Sequence, residues 1–258
     1  MCTNSRHLLV ASGGDVIGFD PQTAVETSIA TTDVDILTCR LNDGKCDQAG
    51  RYWVGSMSLE SGDRGRGSLY SFDARGGVRK VLTNVTASNG MAWSSDGSTM
   101  YYIDSAIGTV DAFDYDAESG TIDNRRTTFD VPSALGIADG MTIDANDNLW
   151  VAMWGGGCVV CIDPERQTII ERLELPVRHV TSCTFGGPLL RQLYITTAQY
   201  GLSAAEKAQQ PEAGHLFVAE PGVSGIVPAV FCVDGLGEFD MFKERTYTNR
   251  ASAFTPES

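Results

Sequence analysis

Asp43-Gly44, Asn89-Gly90 and Asp139-Gly140 each put an acid or amide side chain before a glycine at the start of a strand–turn–strand run. They lie 46 and 50 residues apart. A single pair of this kind is most simply a turn, because Asn and Asp tolerate tight backbone and glycine tolerates nearly all of it. Three pairs at near-constant spacing, each opening a strand-like run, raise a different question: whether a fold gathers them. Gathered side-chain oxygens without thiolates suit a hard cation such as Ca²⁺, Mg²⁺ or Mn²⁺. Such a cation polarises a carbonyl and lowers the pKa of a bound water. A carboxylate beside it can take the proton from that water.

The elements around the pairs supply the gathering. Residues 43–57 read DGKCDQAGRYWVGSM, 89–105 NGMAWSSDGSTMYYIDS and 139–154 DGMTIDANDNLWVAMW. Each is a strand, a polar turn and an aromatic strand. A degenerate fourth copy, VTSCTFGGPLLRQLYITTA at 180–198, has Thr181-Ser182 where the others have the pair. A second strand–turn–strand repeat interleaves with the first at 14–31, 67–85, 108–131, 157–175 and 214–233, and four of its copies carry Phe-Asp or Ile-Asp at the turn. Two half-repeats every 40–50 residues give four short strands per unit, the pattern of a β-propeller blade. A β-sandwich is the competing all-β reading, but it does not account for the regular spacing. In a propeller the innermost strands line a central channel, so residues at their starts point into one mouth. The glycines after the pairs are expected to let the backbone turn close to a ligand.

Five outer halves and four inner halves are represented, so about five blades are expected, the first without most of its inner half. The propeller domain is placed at residues 1–233, and 234–258 are expected to form a polar, unstructured tail. The remaining composition agrees: 42% hydrophobic, 20% charged and 28 glycines describe a globular chain rich in turns. A net charge of −14 argues against nucleic acid or an anionic membrane as partner. No apolar run has the length of a membrane span, and the N-terminal MCTNSRHLLVASGGDV lacks the apolar core of a signal peptide. Seven cysteines, an odd number set mostly in strands, fit reduced thiols in the cytoplasm.

LNDGKCDQAGRYWVGSM (41–57), SNGMAWSSDGSTMYYIDSAIGTVDAFDYDAESG (88–120), DGMTIDANDNLWVAMWGGG (139–157), LPVRHVTSCTFGG (175–187) and QPEAGHLF (210–217) resemble the regucalcin group, within the wider senescence-marker, gluconolactonase and luciferin-regenerating family. The resemblance runs over roughly residues 8 to 230. It implies a six-bladed propeller, here incomplete, binding one divalent cation at the channel mouth and hydrolysing sugar lactones. Calcium is the first expectation, with Zn²⁺, Mn²⁺ and Mg²⁺ as alternatives. The implied metal ligands are Asn89 and Asp139, with Asp139 also the candidate base. The implied substrate contacts are Arg40, Asn42 and Glu60, with Asp43 and Tyr102 in support. The family's third ligand, a Glu in a Gly-Glu-x-Pro motif, has no counterpart in this sequence.

Other signals carry less. Cys158-Val-Val-Cys161 has a zinc-like spacing, but no second pair answers it, and positions i and i+3 of a strand face opposite ways. Three scattered histidines and no Gly-x-Ser-x-Gly elbow argue against a serine hydrolase. SGDRGRGS, beside Glu60, reads equally as a lid or a solvated hairpin. The expected function is therefore a metal-dependent sugar-lactone hydrolase that needs no protein partner. The alternative is a catalytically impaired or truncated propeller that binds calcium or another ligand, or acts as an interaction protein.

Overall fold

The structure, a computed structural model, describes residues 7–231 apart from 61 and 74–76. The tail expected at 234–258 lies outside the described residues. Five antiparallel sheets follow one another along the chain, and within each the strands are ordered as in the sequence. The first holds β1 (Leu8–Ser12), β2 (Asp15–Phe19) and β3 (Glu26–Thr31). The second holds β4 (Cys39–Cys46), β5 (Tyr52–Ser58), β6 (Gly67–Phe72) and β7 (Val78–Val85). The third holds β8 (Ser88–Trp93), β9 (Thr99–Asp104), β10 (Thr109–Asp116) and β11 (Thr121–Asp130). The fourth holds β12 (Ile137–Ile143), β13 (Leu149–Trp154), β14 (Cys158–Asp163) and β15 (Thr168–Glu174). The fifth holds β16 (Val180–Gly186), β17 (Gln192–Thr197) and β18 (Leu216–Ala219), with a short helix α1 (Ala204–Gln209) in the β17–β18 connection. Strands β4, β8, β12 and β16 lie side by side as the inner strands of a five-blade propeller arrangement.

The strands alternate because neighbouring residues serve different cores. Val54 packs with Leu9, Leu41 and Phe72 between the first and second sheets, whereas adjacent Trp53 packs with Met91, Trp93 and Met100 between the second and third. Cys158 and Cys161 divide in the same way, one into the core between the third and fourth sheets and one into that between the fourth and fifth. Each interface between successive sheets thus has its own apolar cluster, and burial of roughly 25 cal/mol per Å² is the main term holding the ring together.

A repeated polar lock fixes the lower end of the inner hairpins. Asp144, fully buried, accepts the backbone N–H groups of Asn146 and Asn148 and the indole N–H of Trp150 at 3.0 Å. Asp47 does the same with Ala49, Arg51 and Trp53, and also takes the Arg51 guanidinium and the Tyr115 hydroxyl. In the third sheet the Ser94 hydroxyl accepts from Thr99 N–H in the equivalent turn.

At the upper end the four inner strands each depart from regular pairing, between Leu41 and Gly44, Ser88 and Met91, Ala138 and Met141, and Val180 and Ser182. Such bulges re-aim side chains. The glycines here have a different task from the one expected. A Cβ on Gly90 would lie 2.5 Å from Met141 Cβ and 2.8 Å from the Asp139 carbonyl oxygen, and one on Gly140 would run into Ser182 Oγ. They let one inner strand close onto the next, rather than bringing backbone to a ligand.

The last outer repeat also differs from expectation. Of the described residues 214–231, only β18 is a strand. Pro221 and Pro228 lack the N–H a ladder needs, and the chain instead runs as a strap beneath the channel. Gly225 bridges Asp144 and donates to Leu190 O at 2.8 Å. Residues Ile226–Ala229, with Lys45, Trp93, Ile143 and Phe185, enclose an apolar cavity of about 120 Å³. Phe231, fully buried, then joins Leu9, Tyr52 and Phe72 in the core between the first two sheets.

Candidate active site at the channel mouth

Counting back from the lower locks identifies what the upper end presents. Five residues before Asp47, Ser94 and Asp144 stand Asn42, Asn89 and Asp139. In β16 the bulge puts Thr181 at the corresponding place. The equivalent of Asn89 and Asp139 in the second sheet is therefore Asn42, and the Asp43-Gly44 pair is displaced by one residue from the register its sequence likeness suggested. All four side chains line one open cavity of about 440 Å³, together with Arg40, Ser105, Met57, Ile137, Trp154 and Tyr200.

The polar half of this cavity is a relay across three sheets. Arg40 Nη1 donates to Asn42 Oδ1 at 2.8 Å; Asn42 Nδ2 donates to Asn89 Oδ1 at 2.8 Å and to Ser88 O at 2.8 Å. Asn89 Nδ2 donates to Ser105 Oγ at 2.7 Å, and Ser105 Oγ to Ala138 O at 2.6 Å. Both amide groups are thereby held in one orientation. Asn89 Oδ1 keeps one lone pair, and the Asp139 carboxylate has no side-chain donor on it among the described hydrogen bonds. These are hard oxygen donors, one neutral and one acidic, and they fit a divalent cation that completes its shell with water or substrate. Among the described residues no group of three or more His, Cys, Asp or Glu side chains could hold a metal by itself.

Asp139 is pushed up to about 7, first by its burial and then by the carboxylate of Asp43. Asp43 is itself raised by burial, opposed by the ammonium of Lys45. Lys45 is lowered by burial and donates to Met141 O at 2.6 Å across the channel. A line of three ionisable groups, Asp139, Asp43 and Lys45, thus runs down the interior below the mouth. Tyr102, expected to support the site, is instead buried among Trp53 and Met91 and does not line the cavity. Glu60 is exposed just beyond β5, in the β5–β6 loop at the same end of the ring, and is not among the lining residues.

Ser105, Ile137, Trp154 and Tyr200 were not singled out beforehand. Met57 and Trp154 fall ten residues past the lock residues Asp47 and Asp144, and Ser105 eleven past Ser94, where each second strand ends at the upper face. That spacing was the available signal. Trp154 is stacked face to face on His179, with ring centroids 4.1 Å apart and planes 8° apart, and lies 6.5 Å from Tyr200. Burial lowers the pKa of His179.

The family model for the SMP-30/Gluconolactonase/LRE-like region matches residues 1–199. The chain belongs to this family. Within the SMP-30/gluconolactonase/LRE-like group, regucalcin of Bos taurus is 43% identical over 217 residues, covering 82% of this chain and 72% of the relative. Among solved structures, a luciferin-regenerating enzyme aligns with a TM-score of 0.82 at 33% identity, covering 90% of this chain and 80% of that one. A calcium-binding regucalcin from Agrobacterium tumefaciens aligns with a TM-score of 0.84 at 28% identity, covering 89% and 77%. No helix of the described residues is long and apolar enough to cross a membrane.

Proposed function

We propose that this chain hydrolyses a cyclic ester at the upper mouth of its channel. The observation carrying this is that Arg40, Asn42, Asn89 and Asp139, from three separate inner strands, share one cavity, three of them joined by continuous hydrogen bonds. The family relationship supports a lactonase-like activity. In the six-bladed fold that the resemblance implies, the five sheets correspond to five of six blades, and this chain supplies two of three expected ligand positions. Asn89 Oδ1 and the Asp139 carboxylate would hold the divalent cation, with calcium the first choice. When bound, the cation would polarise the ester carbonyl and acidify water.

The chain's own residues do the rest. Arg40 spends one nitrogen on Leu41 O and Asn42, leaving its other N–H groups for the carbonyl oxygen. Negative charge gathers on that oxygen as water adds, and a fixed guanidinium meets it without rearranging. The Asp139 carboxylate is the candidate base that takes a proton from the attacking water. The water oxygen bonds to the carbonyl carbon, the ring C–O bond breaks, and the ring oxygen receives a proton, giving a hydroxy acid. Asn42 and Ser105 hold Asn89 in register. Glu60 is left as a candidate substrate contact from the neighbouring loop.

The test is hydrolysis of D-glucono-1,5-lactone, one of the sugar lactones that the resemblance implies as a class, with calcium and after chelation. Chelation should abolish the activity, and Asp139→Ala and Asn89→Ala should each remove the calcium-induced rise in melting temperature. Absence of hydrolysis of any lactone, with no melting shift, would leave the second reading: a propeller that binds ligands without turning them over.

A further inference from the structure

We infer that His179 is a positioning residue for this mouth: it is not among the lining residues, but it fixes Trp154 and the Tyr200 turn, which are, and so sets how a bound ring faces Asp139. The inference rests on the lactonase reading. Trp154 ends β13, paired with Ile137 two residues before Asp139. On its other side its backbone bridges His179, in the connection between β15 and β16. The bridge brings the two rings together, and they stack with centroids 4.1 Å apart and planes 8° apart. One face of the indole is thereby covered. Its other face and its edges are left for the cavity.

His179 is tied on its far side as well. Its carbonyl accepts from Ala198 N–H at 3.0 Å, just past β17. Its ring donates to the Tyr200 backbone carbonyl, and Cε1 lies 3.9 Å from where a Cβ on Gly201 would stand. Tyr200 is 83% exposed and 6.5 Å from Trp154. Its backbone, rather than a core around its ring, therefore holds it at the rim. Stability alone does not account for a histidine here. Its Nδ1 is buried with no partner among the described residues, a cost that a phenylalanine of similar outline would not carry. What the histidine supplies is a flat face for Trp154 together with an N–H for Tyr200. An indole already held in one rotamer spares a ligand the cost of ordering it. A ring seated against that fixed wall keeps its carbonyl within reach of Arg40 and of a water beside Asp139.

The experiment uses the full chain with calcium. Of its four tryptophans, Trp53, Trp93 and Trp150 are 0%, 4% and 1% exposed, so acrylamide quenching of fluorescence reads Trp154. His179→Ala should raise the quenching constant about 3-fold and lower kcat/KM for D-glucono-1,5-lactone about 10-fold, most of it through KM. His179→Leu, which fills the space without a flat ring, should do the same and stands in if His179→Ala does not fold. His179→Phe keeps a flat ring but no donor for Tyr200. It should hold the quenching constant within about 1.5-fold of the parent and recover kcat/KM to within about 3-fold. A histidine that merely filled space would show a lower melting temperature on substitution by Ala, with quenching and KM unmoved, and that result would overturn the inference. Quenching that rises while KM stays, or a folded His179→Phe that recovers neither, would overturn it too. If the parent chain opens no lactone, the lactonase reading fails separately, and D-glucono-1,5-lactam, an amide that resists opening, decides the inference. The lactam should shield Trp154 from acrylamide in the parent and about 3-fold less in His179→Ala. Shielding that is absent, or equal in the two, would overturn the inference.

Discussion

Cation affinity should depend on pH through Asp139, and the dependence should shift when Asp43 loses its charge. The carboxylate can serve as a ligand only when ionised, so binding competes with a proton. With a pKa of about 7, roughly one-tenth of Asp139 is ionised at pH 6 and roughly nine-tenths at pH 8. Calcium affinity should therefore rise about 10-fold between these values, equivalent to about 1.4 kcal/mol, and level off above. In Asp43→Asn the second cause of the elevation is gone while burial remains, so the midpoint should move to lower pH yet stay above the ordinary aspartate value. The plateau affinity should fall as well, because one negative charge has left the channel. Calorimetric titration with calcium from pH 5.5 to 8.5, on both proteins, reads midpoint and plateau separately. Stability gives a second reading with the opposite trend. A raised folded-state pKa favours the native state at low pH, so this group's contribution in the metal-free chain is lost as pH climbs from about 4 to about 7. A flat calcium affinity across the range, or an unmoved midpoint in Asp43→Asn, would refute the reasoning.

Three further outcomes follow from the scaffold. Asp144→Ala should cost about 2–4 kcal/mol in equilibrium denaturation, because the buried Trp150 indole N–H and two part-buried backbone N–H groups lose their acceptor together. Ser105→Ala should weaken calcium binding severalfold with little change in melting temperature, since it frees the Asn89 amide to turn without opening a core. Gly90→Ala should lower the unfolding free energy by about 1–3 kcal/mol and reduce activity together, because the added methyl forces the β8 and β12 strands apart at Met141.

The spacing of the repeats was enough to read the ring, because aromatic strands alternating around short turns have few other ways to bury both faces. The same spacing put Asn89 and Asp139 in one cavity. It misjudged Asp43, since a dipeptide pattern has no register of its own: only the turn lock five residues on shows that Asn42 stands in the ring and Asp43 one step below, where its charge acts on Asp139. Gly90 and Gly140 looked like ligand-facing glycines because a close approach leaves the same mark in a sequence whether the neighbour is substrate or a second strand. Trp154 and Tyr200 were hidden among strand and loop aromatics that mostly serve cores. Residues 214–233 were read as a strand–turn–strand copy because they continue the interleaved repeat, but after β18 Pro221 and Pro228 lack the N–H that a second strand needs.

That proline-bearing segment bears on how the molecule comes into being. Arg40, Asn42, Asn89, Asp139 and Thr181 have all left the ribosome well before Phe231 does, and yet Phe231 is what holds the last described segment against Leu9 and Phe72. A nascent chain halted before Gly225 would own every one of those groups at the upper mouth and still have no floor beneath Lys45, leaving the channel open to water at both ends.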